Sequence, residues 1–215
     1  MHRPLWKSAG YQLFKYTFWL MARVFFRFRW KGREHFPRGS GALICSNHQS
    51  YFDPVLVGVC FRQQLNFLAR DTLFHTFLFG PLIRYLEAIP IDRDGFGLSG
   101  IKETLKRLKR GEMVLIFPEG TRTLDGQVAP LKPGFCALAR RGKVPILPVA
   151  VDGAFDAWPR SSRVPHFTKL RTCFGPVITL AQIEELSDEQ LIAEVRQRIL
   201  ACHREARRFR GVPDL

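Results

Sequence analysis

The 215 residues, 46% of them apolar, are enough for one domain with a proper core and exclude a disordered chain. With 33 Lys and Arg against 19 Asp and Glu, the net charge of +14 calls for an anionic partner: membrane lipid, a phosphorylated substrate or nucleic acid. The cysteines, Cys45, Cys60, Cys136, Cys173 and Cys202, are odd in number and unclustered, so they indicate neither a disulfide framework nor a metal site and read as reduced packing residues.

The positive charge is concentrated at the start. Met1 to Arg38 hold nine basic residues and one acid, Glu34, so +8 of the +14 lies there. Tyr11 to Trp30 is rich in aromatics and is broken by Lys15, Arg23, Arg27 and Arg29. Its longest charge-free run, Tyr16 to Ala22, is far short of the roughly 20 residues that a spanning helix needs. On a helical wheel Gln12, Lys15, Arg23, Arg27 and Arg29 share one arc, with most apolar residues opposite; Trp19, Ala22 and Phe26 interrupt the polar side. A basic helix with Trp and Phe on its apolar side suits a bilayer interface, which makes Trp19, Phe25, Arg23 and Arg27 the expected membrane contacts. The expected location is therefore peripheral, monotopic, on the cytoplasmic face of a membrane, and a plain core helix is the competing reading. The arginines break up any signal-peptide apolar region, so the segment is expected to be retained. Gly32 and Pro37 to Gly41 mark a linker, dividing the chain into a helical anchor over 1–36 and a second unit over 37–215.

Ala42 to Cys45, then Ser46-Asn47-His48-Gln49-Ser50-Tyr51-Phe52-Asp53-Pro54, then Val55 to Cys60 read as strand, polar turn and helix. Turns at the carboxyl ends of strands in open α/β sheets are where ligands sit, so His48 is placed for chemistry. Along a single helix His48 and Asp53 would point about 140° apart. If the turn curls back, Asp53 accepts the Nδ1 proton of His48, fixes the tautomer and leaves Nε2 as a general base. No Ser or Cys nucleophile is then needed, because the substrate brings its own hydroxyl. The same residues also suit a plain helix start, with Asp53 as N-cap before Pro54 and His48 solvated.

Leu65 to Ala69 reads as a second short strand. The apolar block from Asp71 to Asp94, broken at Gly80-Pro81, suits the core, a lipid contact or the wall of an acyl-chain groove equally, and His75 within it reads as a core or surface residue. Arg93 follows Ile89-Pro90-Ile91, and an Arg just past a strand end can grip a phosphate bidentately. Leu98 to Lys109 carries the stripe Ile101, Leu105 and Leu108 and stops at Gly111, while Lys102, Lys106, Lys109 and Arg110 form a solvated face. A further strand, Met113 to Ile116, runs into Phe117-Pro118-Glu119-Gly120-Thr121-Arg122. There Gly120 allows close approach to an anion, and Thr121 and Arg122 offer a hydroxyl and a guanidinium to phosphate oxygens. Glu119 would repel a phosphate, so it is expected to hold Arg122 or another cation, or to bind an acceptor hydroxyl. Lys132, just before Pro133-Gly134 and a helix through Arg141, is a further candidate phosphate contact. Val144 to Val149 and Thr168 to Val177 read as strands, and Ser187-Asp188-Glu189-Gln190 forms a capping box for a last helix with a basic tail, Arg204 to Arg210. This alternation predicts a single mixed-sheet α/β domain with flanking helices.

Taken together and in this order, Asn47-His48 with Asp53 and Phe117 to Arg122 closely resemble the signatures of the glycerolipid acyltransferase family, Asn-His-x-x-x-x-Asp and Phe-Pro-Glu-Gly-Thr-Arg. The resemblance runs from about Ile44 to Val149. It implies His48 and Asp53 as the catalytic pair, Arg93, Glu119, Gly120, Thr121, Arg122 and Lys132 in acceptor binding, and Val144 to Val149 as a wall of the site. Glu87 and Pro90 stand where the family usually has Gly and Phe in the motif that ends at Arg93. The implied reaction moves an acyl group from acyl-CoA or acyl carrier protein to lysophosphatidate, with no metal and no cofactor beyond the thioester co-substrate. Other acceptors, glycerol 3-phosphate or another lysolipid, remain open. A non-catalytic lipid-binding protein would explain the charge without requiring the His-Asp spacing. No nucleic-acid motif is recognised, so nucleic acid is not an expected partner.

Overall fold

A seven-stranded mixed sheet covered by helices on both faces is what the apolar runs build; the computed structural model describes residues 5–37, 39–77, 79–91, 97–162 and 164–213. In chain order the elements are α1 (Leu5–Phe25), β1 (Arg29–Lys31), β2 (Ala42–Ser46), α2 (Asp53–Gly58), β3 (Asn66–Arg70), α3 (Asp71–Phe74), α4 (Phe79–Tyr85) and β4 (Ile89–Ile91). There follow α5 (Leu98–Lys109), β5 (Met113–Ile116), α6 (Gly134–Gly142), β6 (Ile146–Asp152), α7 (Ala154–Ala157), β7 (Arg171–Phe174), α8 (Leu180–Glu185) and α9 (Asp188–Arg210).

The strand order is β1-β7-β6-β2-β5-β3-β4. Strands β2 to β6 are all parallel, and β7 runs antiparallel to β6. Five carboxyl ends therefore share one edge. Strand β2 is central, with Cys45 opposite both Ile116 and Pro148. From β2 the chain goes to β3 on the far side of β5, and β6 later closes the other flank, so the winding reverses at β2, the position where open α/β sheets bind ligands.

Strands β2, β5 and β6 are buried along their whole length, which is why they read as largely apolar runs. Leu43, Cys45, Val114 and Ile116 pack towards α5, α6, α8 and α9; Ala42, Ile44, Leu115 and Leu147 pack towards α1 and α2. The capping box at Ser187 is formed, its side chain accepting from the Gln190 amide, and Leu191, Val195 and Ile199 face the sheet. Thr179 and Gln182 make a second box, at α8.

Two expectations about the N-terminus need correction. The boundary at residue 36 falls inside the domain, because β1 pairs with β7 and extends the main sheet. The helix also ends earlier than expected: Arg27 takes a left-handed backbone, φ 46°, so neither Arg27 nor Arg29 is helical. Of the polar arc of α1, Gln12 and Lys15 face inward, while Arg23 is exposed. Lys15 is buried, donating through Nζ to the carbonyls of Phe61 at 3.2 Å and Arg62 at 3.3 Å, and Gln12 donates to Arg62 O at 3.4 Å. Burial pulls the Lys15 ammonium below its usual pKa. Apolar residues lie on both sides of the helix: Tyr11 and Ala22 are buried and Phe14 and Phe18 pack on the core, whereas Leu13, Tyr16, Leu20 and Val24, 56 to 70% exposed, face outward. Phe25 is exposed beside them and stacks on Phe167 at 5.9 Å. Among the described residues no helix is long and apolar enough to cross a membrane.

Candidate active site

The turn after β2 curls back. Asp53, fully buried, accepts three hydrogen bonds at Oδ2: from His48 Nδ1 at 2.8 Å, from Gln49 N at 2.6 Å and from Ser50 N at 2.7 Å. Two main-chain donors thus hold the carboxylate where it orients the imidazole, and it opens α2 with Pro54 behind it. Asp53 binds the histidine and is the first residue of α2 but not its N-cap: that position falls on Phe52, with no side-chain cap hydrogen bond. The His48 ring stacks on Phe117, centroids 3.9 Å apart, and among the described residues no hydrogen bond engages its Nε2.

The residues around His48 tie the turn to its neighbours. Asn47, buried, extends the β2–β6 ladder with its side chain: Nδ2 donates to Val151 O at 2.9 Å and Oδ1 accepts from Val151 N at 2.8 Å. Gln49 is equally buried and reaches Gly126 O at 3.0 Å and Phe155 N at 3.2 Å.

The loop after β5 grips the turn from the other side. Glu119, 4% exposed, accepts from the His48 main-chain amide at 2.8 Å and, through its other oxygen, from Ala129 N at 3.0 Å. The Thr123 amide donates to His48 O at 2.8 Å. Both main-chain groups of His48 are thus fixed by the second motif. Burial pushes the Glu119 carboxyl up to about 7, against the lowering effect of its two amide partners. The expectation that Glu119 holds Arg122 is corrected: both of its oxygens are engaged by main chain, and the residue joins the two motif loops from within. The amides of His48, Gln49 and Ser50 are all bound to carboxylates, so they are not free to stabilise an oxyanion.

Arg122 lies over the Tyr51 ring, 3.7 Å from its centroid, and its Nη1 is buried without a hydrogen-bond partner among the described residues. A guanidinium nitrogen out of water and unsatisfied is a ready anion ligand. Gly120 has φ 74°, and a Cβ there would meet Lys132 Cε and Nζ at 2.9 Å. What approaches this glycine closely is therefore the Lys132 side chain, which brings its ammonium to the loop. Thr121 is exposed beside them. Arg93 lies outside the described residues.

Arg70, the last residue of β3, was not singled out from the sequence; its Nη2 donates to Gly120 O at 3.4 Å. The rule that flagged Arg93, a cation at a strand's carboxyl end, applies to it equally. Trp158 was also missed. It accepts from Ser50 Oγ at its carbonyl and packs on Phe52, continuing an apolar lip through Phe26 to Phe167 and α1.

Fold and site together define an α/β protein with a His-carboxylate pair beside a cationic loop at the carboxyl edge of a largely parallel sheet. The family model described as Acyltransferase matches residues 27–152, and the chain belongs to the acyltransferase family. It is 38% identical over 122 residues to the 1-acyl-sn-glycerol-3-phosphate acyltransferase of Bacillus subtilis (strain 168), a match covering 56% of this chain and 60% of that protein. It is 32% identical over 189 residues to the protein of the same name from Pseudomonas aeruginosa, covering 86% of this chain and 70% of the relative. The crystal structure of the 1-acyl-sn-glycerophosphate (LPA) acyltransferase of Thermotoga maritima shares the fold at a TM-score of 0.78 and 24% identity, covering 100% of this chain and 86% of that one. The match to the Bacillus protein thus takes in less than two thirds of that protein's length.

Proposed function

We propose that the protein transfers a fatty acyl group from a thioester, on coenzyme A or acyl carrier protein, to the free hydroxyl of lysophosphatidate, giving phosphatidate. The observation that carries this reading is the 2.8 Å contact between His48 Nδ1 and Asp53 Oδ2, made by a carboxylate that two main-chain amides hold in place. With the proton on Nδ1, Nε2 is the base. It takes the acceptor's hydroxyl proton as the oxygen attacks the thioester carbonyl, and Asp53 stabilises the imidazolium that forms. Collapse of the tetrahedral intermediate breaks the carbon–sulfur bond, and His48 returns its proton to the leaving thiolate.

Arg122 holds the acceptor phosphate, with Lys132, Thr121 and Arg70 beside it; Arg93 joins them on the family pattern. The names of the relatives support lysophosphatidate as acceptor. Both substrates are amphipathic with anionic heads, which suits a protein that turns Leu13, Tyr16, Leu20 and Val24 outward and carries Trp19, Arg23, Phe25 and Arg27 on the same exposed segment. On this reading α1 lies in the interface of an anionic membrane, its arginines near headgroups and its apolar side among acyl chains.

The test is thioester consumption by purified protein in detergent, with acyl-CoA or acyl carrier protein as donor and lysophosphatidate, glycerol 3-phosphate or lysophosphatidylcholine as acceptor. Turnover with lysophosphatidate in preference to the others is expected. Preference for another acceptor would overturn the substrate assignment, and no turnover with any pair would leave a lipid-binding protein.

A further inference from the structure

We propose that His203, on α9, is a positioning residue for the catalytic turn: its Nε2, carrying no proton, accepts the Gln49 side-chain amide and so fixes the main chain next to His48. The inference rests on the acyl-transfer reading for its kinetic consequence and on geometry alone for its structural one.

Gln49 is 1% exposed, and its amide can point only one way. Its Oε1 accepts from the Phe155 amide at 3.2 Å, and its Nε2 donates to the Gly126 carbonyl at 3.0 Å. Turning the amide over would set donor against donor and acceptor against acceptor. The second Nε2 hydrogen faces His203 Nε2 at 3.3 Å, so that ring nitrogen must be the acceptor. The alternative partner of the same nitrogen is Asp152 Oδ1, 3.4 Å away. One nitrogen cannot accept from Gln49 and donate to Asp152 at once. Asp152 keeps a donor and counter-charges either way: Arg207 Nη1 donates to its Oδ1 at 3.4 Å, and Arg210 Nε lies 2.8 Å from its Oδ2 as an ion pair without hydrogen-bond alignment. His203, itself 4% exposed, is therefore available to the turn.

The placement gives the contact its reach. The Gln49 main-chain amide donates to Asp53 Oδ2, the oxygen that orients His48. A C-terminal helix far along the chain thereby stands behind the His48-Asp53 pair, through one side chain. Loss of the contact leaves a buried amide hydrogen unsatisfied and frees the segment between the two reacting-site residues.

The variants are His203→Leu, His203→Gln and Gln49→Met, each measured for steady-state kinetics and for amide hydrogen exchange across 47–53. We expect His203→Leu to lower kcat about tenfold with the acceptor KM within twofold, and to speed exchange at Gln49 and Ser50 about tenfold. His203→Gln, whose carbonyl oxygen can accept from Gln49 while its amide donates to Asp152, should stay within about threefold of the parent on both readouts. Gln49→Met should match His203→Leu, and the double variant should be no worse than either single change. Unchanged exchange and kcat in His203→Leu would overturn the proposal. So would equal damage in the Leu and Gln variants, which would mark His203 as packing alone. Should His203→Leu not fold, Gln49→Met with His203→Gln decides on the same criteria. If the parent transfers no acyl group, the acyltransferase reading fails and the exchange comparison still decides this one.

Discussion

Asp53 and Lys15 are both charged residues carried out of water on the same face of the sheet, one at the start of α2 and the other on α1. Around Asp53 the donors converge: an imidazole and two main-chain amides meet one oxygen, so the buried charge fixes the orientation of the His48 ring. Around Lys15 the acceptors belong to the chain just past α2, so the buried charge fixes that of α1 instead. With Lys15 turned inward beside Tyr11 and Ala22, the residues Leu13, Tyr16, Leu20 and Val24 are left outside. A polar side chain on an amphipathic helix faces wherever its hydrogen bonds can be met, and water is only one such place.

The largest effect is expected at the His48–Asp53 pair. His48→Ala should lower kcat by about 10⁴-fold, and Asp53→Asn by about 10³-fold, with vesicle binding unchanged in both. Thioester assay with flotation on anionic vesicles checks this; turnover near the parent's in His48→Ala would remove the general base. Glu119 comes next. Its carboxyl sits at about 7 against an ordinary 4.5, raised by burial, so its contribution to stability is full below about pH 4.5 and is lost as pH rises through 7. The loss is on the order of 3 kcal/mol. Thermal unfolding of Glu119→Gln should lack that fall, and its activity should drop because an amide cannot accept from both His48 N and Ala129 N.

Arg122→Ala is expected to raise the KM for a phosphorylated acceptor by about 30-fold with a smaller effect on kcat, in line with about 2 kcal/mol for a charge-assisted hydrogen bond. Equal KM values for the two proteins would place the phosphate elsewhere. The outward face of α1 is sharpened by Leu20→Asp with Val24→Asp, which should weaken binding to anionic vesicles about tenfold while sparing turnover of a short-chain, water-soluble acceptor. The smallest effect is expected at Lys15→Met: about 1 kcal/mol of stability lost as the Phe61 and Arg62 carbonyls lose their donor, read from chemical denaturation. A stabilised variant would show that the inward ammonium is not what docks the helix.

The turn after β2 was legible because its marks are local. A strand, a His, an Asp five residues on and a Pro behind it leave few ways to fold, and the ends of α5 and α9 follow from Gly111 and the Ser187 capping box in the same way. The second motif was legible as a loop after β5, and the cationic character of Arg122 and Lys132 with it. What neighbours each side chain was not. Glu119 read as a partner for Arg122 because they are close in sequence, whereas the parallel pairing of β2 with β5 sets it under the His48 amide. Arg70 went unnoticed because only the order β5-β3 brings the end of β3 to Gly120.

The same division holds at the N-terminus. The local sequence indicated a helix over most of the aromatic segment and charge-free runs too short to span a bilayer, since both depend on residues within a few turns of each other. The side of α1 that faces out, the joining of β1 to β7 and the reach of α9 to Gln49 were decided by tertiary structure, because each depends on hydrogen bonds between residues 46 to 154 positions apart in the chain.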